Sequence, residues 1–403
     1  MTLRYSTDIV IFGGGIAGLW LLNRLKNEGY NPLLIETECL GGGQTLASQG
    51  IIHGGLKYAL GGSLTEAANA IASMPKAWRQ CLKGNGDVDL TGISILSDNY
   101  YMWSDGSLRS KLKTFLGSKS LAGRVQSLER DQYPEFFKNN VIDGSLYELP
   151  DFVIDSSSLV KKLRDNVSKV VPPIFSIEKG NYHFTKEGDI SNYSLVLNLN
   201  NQEFFIEAER FIFCAGEGNA ALIAQTDIKS VKAQVRPLHM VYLKSPQLPR
   251  VFVHCVGDNF SLTPKLTITS HTDQQGQTVW YLGGELAEAG VRKNESEQIK
   301  VAKELVHKLF PGLDTSTAEW NSFLINRAEA DIGNNYRPDD AYLLSEANVI
   351  TAWPTKLTLT PSLADKVVNT LRSDSVAAST NNGAINALGK LLAQPELAQN
   401  YWD

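Results

Sequence analysis

Three glycines spaced Gly13-x-Gly15-x-x-Gly18, with an acid at Glu36, are the first residues of this 403-residue chain whose types and intervals suit chemistry. The pattern serves a dinucleotide. Gly13 permits a tight turn, Gly15 lets a pyrophosphate reach the backbone, and Gly18 lets a helix lie close to a strand. The phosphates would rest on amides at the helix N-terminus, around Ile16 and Ala17, where the dipole favours an anion. Glu36 would accept hydrogen bonds from the adenosine ribose. The fingerprint alone does not separate FAD from NAD, and a ligand-free glycine turn is the plainer alternative. A second stretch, 47–60, reads ASQGIIHGGLKYAL. It sets an imidazole (His53), an ammonium (Lys57) and a phenol (Tyr58) around a nearly bare backbone. Either a close-packed turn or a large flat ligand lying on the chain accounts for it.

Those residues need a strand, a turn and a helix to hold them. Residues 9–12 form an apolar run suited to a parallel strand covered on both faces. Ile16, Leu19, Leu22 and Leu25 recur at helical spacing, Gly29 stops the helix, and residues 33–35 supply the next strand. The chain is 43% hydrophobic and 20% charged with a formal net charge of −5, which fits a soluble enzyme of two domains. A pI near 5.8 gives no footing for nucleic acid, whose binding is led by phosphate neutralisation. Cys39, Cys81, Cys214 and Cys255 form no C-x-x-C pair, so a reducing compartment is expected, with neither a disulfide framework nor a metal site. Cys214 stands in an apolar run and reads as a buried thiol. The apolar run after Arg4 imitates a signal peptide, but Asp8 precedes it and glycines interrupt it. No span approaches the roughly 20 apolar residues that cross a bilayer. A cytoplasmic protein is expected, with peripheral membrane contact left open. GAINALGK fails as a phosphate-binding loop because Leu391 follows its lysine, and no G-x-S-x-G or H-E-x-x-H motif occurs.

Three further segments carry a family resemblance. QTLASQGIIHGGLKYAL (44–60) resembles the second flavin-contacting segment of the FAD-dependent D-amino-acid oxidase superfamily. In motif it is most similar to flavin-dependent glycerol-3-phosphate dehydrogenase and L-2-hydroxyglutarate dehydrogenase, which carry Ile-His-Gly-Gly or Ile-His-Ala-Gly here. RFIFCAGEGNAAL (210–222) is similar to the strand and Ala-Gly turn that return the chain to the flavin. NVITAWPTKLTLTPSLADKVV (348–368) is similar to the closing segment, a strand and a Lys-Leu-Thr turn into the last helix. Thr360 suits the N-cap of that helix and Pro361 its first position. The chain departs from the family pattern at Lys57, commonly arginine, and at Trp353-Pro354-Thr355, often glycines.

The resemblance implies FAD, contacted by Thr45, Ser48, Gly50 and Ile51, by Ala215 and Gly216, and by Thr355, Lys356, Leu357 and Thr358. It implies hydride transfer to flavin N5 from a small anionic substrate, hydroxy in preference to an amino acid or secondary amine. A flavin-binding protein without turnover is a further alternative, and an NAD-only dehydrogenase would be colourless. Oxygen and quinone both remain open as electron acceptor. Lys356 and the last helix would stabilise negative charge on the reduced ring. His53 would take the substrate proton, and in some relatives a histidine near this place is covalently joined to flavin. Packing within the turn is the plainer reading of His53. Arg337 would bind the substrate anion, with a salt bridge to Asp339 or Asp340 as its alternative. Lys57, Tyr58 and Arg327 would face the substrate, and Arg327 has Glu329 as an alternative surface partner. The expected fold is α/β. A Rossmann-like FAD-binding domain (1–80, 145–235 and 330–372) would interleave with a mainly antiparallel β-sheet substrate domain (81–144 and 236–329). Residues 373–403 would follow as a C-terminal extension, with AINALGKLLAQ as a short amphipathic helix.

Overall fold

The computed structural model describes residues 3–55, 66–105, 125–140, 144–167, 171–186, 192–256, 264–333, 336 and 338–403, without the side chains of 66–70 and 105. The strand Leu3–Phe12 alternates in exposure at its start and is buried from Thr7 onward. It pairs in parallel with Gln202–Phe213 on one side and with Pro32–Glu36 on the other, and Ile174–Ser176 lies beyond. Strands covered on both faces must be apolar throughout, and IVIF and LLI meet that requirement. On one face the helix Ile16–Asn27 packs against Ser156–Val167 and Thr360–Ser373, burying Leu19, Trp20, Leu22, Leu163, Leu363 and Val367 completely. On the other face Phe12, Phe211 and Phe213 meet Phe184 and the short helix Gly383–Leu388. Gln202–Phe213 serves two partners along one edge. Its first half pairs antiparallel with Ser194–Leu199, and its end pairs in parallel with Val349–Trp353.

The second sheet runs Glu319–Ala330, Ala233–Ser245, Thr278–Gly283, Leu266–Thr272, Val253–Val256, Tyr100–Asp105, Gly144–Leu149, Gln126–Ser127. Neighbours are antiparallel except Val253–Val256 with Tyr100–Asp105. Its Val241, Leu243, Trp280 and Leu282 pack under the helix Glu295–Leu309. Asn294 and Glu297 cap that helix reciprocally, satisfying two of its orphan amides. The opposite face presents Met240, Tyr242 and Tyr281 to Trp402. A small sheet of Ile51–Ile52, Phe152–Ile154 and Ile95–Ser97 joins the two halves.

The mixed α/β architecture, with a parallel sheet beside a mainly antiparallel one, is the expected class. Several boundaries move. Gly144–Leu149 pairs within the second sheet, so the return crossing follows Leu149 and does not begin at 145. Cys81, Val88, Leu90 and Ile93 pack into the core of the first helix, so the outward crossing comes after them and not at 81. Thr360 is not the cap of the last helix. A 3-10 turn, Leu357–Leu359, runs straight into that helix, Leu359 takes the cap position, and the Thr360 hydroxyl donates back to the Leu357 carbonyl. The helix expected across 384–394 spans only Gly383–Leu388 and stops at Gly389.

Candidate functional site

A cleft of about 450 Å³ opens at the carboxyl ends of the parallel strands, where open α/β sheets place their ligands. Each fingerprint glycine is required for a different reason. Gly13 has φ +106, and a Cβ there would lie 2.5 Å from the Ala215 Cα. At Gly18 a Cβ would fall 1.9 Å from the Gly13 carbonyl oxygen, so that glycine sets the helix against the strand. Gly15 differs. Its φ of −75 and ψ of −173 are open to any residue. A Cβ there would meet one atom of the protein, the Thr45 hydroxyl at 3.1 Å. Its backbone therefore does not call for glycine, and a side chain there would press only on the Thr45 hydroxyl, which holds the Ile16 amide.

Around this turn the backbone is held by side chains. Thr45 Oγ1 accepts from the Ile16 amide at 3.0 Å. The Glu36 carboxylate accepts from the amides of Gly14, Thr37 and Glu38, which leaves one lone pair, on Oε2, on a group that lines the cleft. Asn219, fully buried, ties two strand ends together, accepting from the Ala215 amide and donating to the Ala352 carbonyl. Trp353 Nε1 donates to Gly216 O at 3.1 Å, closing the same junction. Burial raises the Cys214 thiol pKa, and Cys39 is raised by burial and by Glu36 and Glu38. Neither thiol is activated.

Gly13, Gly15, Ile16, Ala17, Glu36, Thr45, Ser48, Ala215, Gly216, Thr355, Lys356 and Leu357 all line the cleft. Gly18, Gly50, Ile51 and Thr358 do not. Gly50 has φ +71, and its Cβ would strike Ile154 O at 2.1 Å, so it serves the strand contact behind the site. Thr358 is buried and bonds His53 twice, accepting from its amide and donating to its carbonyl. Thr355 adopts φ +59, a conformation costly for a β-branched residue, and stands where the family pattern places glycine. Lys356 Nζ donates to Asp339 O at 3.2 Å.

His53 stands at the end of strand Ile51–Ile52, and its Nδ1 accepts from the Gly55 amide at 3.3 Å. In the neutral ring Nδ1 is thus the basic nitrogen and Nε2 carries the proton. The next amide, Gly54, donates to Asp151 Oδ1 at 2.9 Å. Asp151 is buried, and burial pushes its carboxyl up to about 7, the Gly54 bond opposing. Nothing local in LPDFV distinguishes Asp151 from a turn residue. Its partner lies nearly a hundred positions earlier, so only folding exposes its role.

Arg327 is engaged elsewhere. It pairs with Glu288 at 3.2 Å, not with Glu329, because Glu329 is taken by Arg236 in an ion pair of 2.8 Å that lacks hydrogen-bond alignment. Its strand neighbours Asn326 and Ala328 line the cleft instead. Asn326 donates to Glu217, and the Ala328 amide donates to Gln44, so the second sheet is tied to the cleft's lining loop. Lys57, Tyr58 and Arg337 lie outside the described residues. Among the described residues no cluster of three or more His, Cys, Asp or Glu is placed to hold a metal, and no helix is long and apolar enough to cross a membrane.

The family described as FAD dependent oxidoreductase (DAO) matches residues 8–344 of the chain. A probable FAD-dependent oxidoreductase of Pseudomonas aeruginosa is 39% identical over 405 aligned residues, covering 100% of this chain and 99% of its own. The crystal structure of the Pseudomonas protein superposes with a TM-score of 0.83 at 34% identity, over 100% of this chain and 99% of that one. In fold alone the chain is similar to the FAD-bound L-alpha-glycerophosphate oxidase of Mycoplasma pneumoniae, at TM-score 0.67 and 14% identity over 98% and 100% of the two chains. Glycine oxidase of Geobacillus kaustophilus gives 0.62 and 16% over 94% and 98%.

Proposed function

The chain belongs to the FAD dependent oxidoreductase family, and we propose that it oxidises a small anionic hydroxy substrate, bound FAD taking the hydride at N5. The observation that supports the cofactor's placement is the Gly13–Gly15 turn lining the cleft together with Glu36, with Gly15 in an extended conformation that does not itself require glycine. Residues 15–17 then hold the pyrophosphate at the helix N-terminus, and the remaining lone pair of Glu36 takes a ribose hydroxyl. The 355–358 turn and Lys356 supply positive potential beside the ring. The substrate's hydroxyl proton goes to His53 at Nδ1 once the long Gly55 contact gives way. Lys57, Tyr58 and Arg337 enter the substrate-facing set on resemblance alone. Arg327, on a strand that flanks the cleft and paired with Glu288, is in that set on the same ground.

The preference for a hydroxy substrate rests on the His-Gly-Gly and Lys-Leu-Thr segments. Anaerobic mixing of the holoenzyme with 2-hydroxy acids, polyol phosphates and amino acids, followed by flavin absorbance, tests it. Bleaching by a hydroxy compound is expected. Bleaching confined to amino acids or secondary amines would replace the hydroxy reading with the amine one.

A further inference from the structure

We propose that Asp151 is a positioning residue for the reaction: its buried carboxyl anchors the His53–Gly55 turn through the Gly54 amide, and its protonation state sets the field felt by His53 and the flavin. The inference rests on reading that turn as a flavin contact. Asp151 sits at a crossing point, between Leu149 at the end of the second sheet and Phe152 at the start of a strand in the small one. Both neighbouring strands are paired along their length, so the carboxyl has little freedom to move. A side chain at Gly54 would meet the Pro75 ring and the Ala72 carbonyl of the helix Glu66–Leu82 as well as the Asp151 carboxyl. The turn is therefore packed closely where the helix and the carboxyl meet it.

One backbone bond is little for an ionised carboxylate at 4% exposure. Among the described residues no lysine or arginine pairs with it. Arg79, on the same helix as Pro75, lies over the Phe152 ring at 3.9 Å but is paired with Asp98. From the second sheet come Tyr100 and Cys255, both buried and both pushed upward, so they remain neutral through the physiological range. His254 lies tilted against Tyr100, 4.6 Å between ring centres, and bonds Thr267 Oγ1. His53, one residue from the bonded amide, completes the set. With its carboxyl pushed up to about 7, Asp151 is half-ionised near neutrality. Below that pH it anchors the turn without charge. Above it, a negative charge bonded to the turn opposes negative charge arriving on the ring.

The test uses the FAD-loaded enzyme with dithionite and redox dyes, and needs no substrate. The flavin midpoint potential is measured from about pH 5.5 to 8.5 in wild type, Asp151→Asn and Asp151→Ala. Asparagine keeps the acceptor for Gly54 and removes the titration. Wild type and Asp151→Asn should coincide at the acid end and separate through a single-proton step near neutrality, the variant lying at higher potential in alkali. Asp151→Ala, which also loses the anchor, should weaken FAD binding about tenfold. Equal potentials at every pH in a variant that binds FAD normally would overturn the proposal. If Asp151→Asn does not fold, reduction-induced infrared difference spectra of wild type serve instead. A carboxylic C=O band that responds to flavin reduction at acid pH and vanishes in alkali is expected, and its absence at both overturns the idea. A Lys356→Met control separates the two readings. If it too leaves the potential unmoved, the placement of the flavin has failed and the Asp151 proposal fails with it. If only the Asp151 variants are silent, Asp151 alone is wrong.

Discussion

Gly15 lines the cleft in a backbone conformation that any residue adopts, and a Cβ there would meet the Thr45 hydroxyl at 3.1 Å. Gly15→Val should therefore lose FAD while keeping its far-ultraviolet circular dichroism, read beside the flavin-to-protein absorbance ratio of the purified protein. Gly18→Ala should instead damage the fold, because its Cβ has no space against the Gly13 carbonyl. Normal FAD content in Gly15→Val would reduce the fingerprint to a turn. Asp151 gives a second prediction, this one about stability. A carboxyl raised from 3.8 to about 7 holds its proton in the folded state when the unfolded chain has lost it. Its contribution is thus fully present below the unfolded value and is lost as pH rises through the folded one. Asp151→Asn should match wild type in stability near pH 4 and exceed it above pH 7 by up to about 4 kcal/mol. Urea unfolding across that range checks the sign, and a variant less stable than wild type in alkali would contradict it.

Among the elements, the 3-10 turn Leu357–Leu359 joins parts that are remote in sequence. Thr358 holds the His53 backbone through its hydroxyl and receives the Trp78 indole N–H on its carbonyl. Trp78 in turn packs on Trp20 of the first helix at 4.7 Å between ring centres. The turn enters the last helix without a side-chain cap and follows a threonine at φ +59, so local sequence preference opposes it and tertiary contacts impose it. Thr358→Val keeps the shape and removes both bonds to His53. It should cost about 1–3 kcal/mol in denaturant unfolding and weaken FAD binding as well. Unchanged values for both would mean the hydroxyl is not a staple.

Across the whole molecule, the C-terminal segment acts as a strap. Ala393 accepts from the Ser176 amide at the edge of the first sheet, and Leu397 bridges Leu40 beside the cofactor loop. Tyr401 stacks on Phe323 at 3.8 Å, and Trp402 lies against His271 and Tyr281 in the second sheet. Tyr281 returns the connection by donating to the Ala47 carbonyl. Trp402→Ala should lower stability by about 3 kcal/mol and speed FAD release, followed by flavin fluorescence after dilution. His271 adds a pH sign opposite to that of Asp151. Burial, then Arg250, hold it down to about 3, so its neutral form is favoured in the fold. That contribution is present above the unfolded value near 6.5 and is lost as pH falls toward the folded one. The two groups partly offset each other in wild type between about pH 4 and 6.5, so the Asp151→Asn comparison must be read as a difference from wild type.

Gly13, Gly15, Gly18, Glu36 and the flanking apolar runs made the strand, turn and helix at the cleft legible from sequence alone. They are local: strand, turn, helix and acid fall within 36 residues, and periodicity with glycine stereochemistry specifies each of them. The motif order of the later segments likewise pointed to FAD and to the mixed α/β class. What sequence could not determine depends on contacts between distant residues. Arg327 was open to several partners, and only the packing of Glu288 and Arg236 about it decided among them. Thr360 looked like a cap until the turn before it proved continuous with the helix. Asp151, Gln44 and Asn326 carried no signal at all, since a side chain's burial and hydrogen-bond partner belong to the surfaces that meet it. The same reason governs the C-terminal strap: its polar lead, SDSVAASTNNG, reads as a linker, and only the aromatic pocket built from three strands of the second sheet holds Trp402 in place.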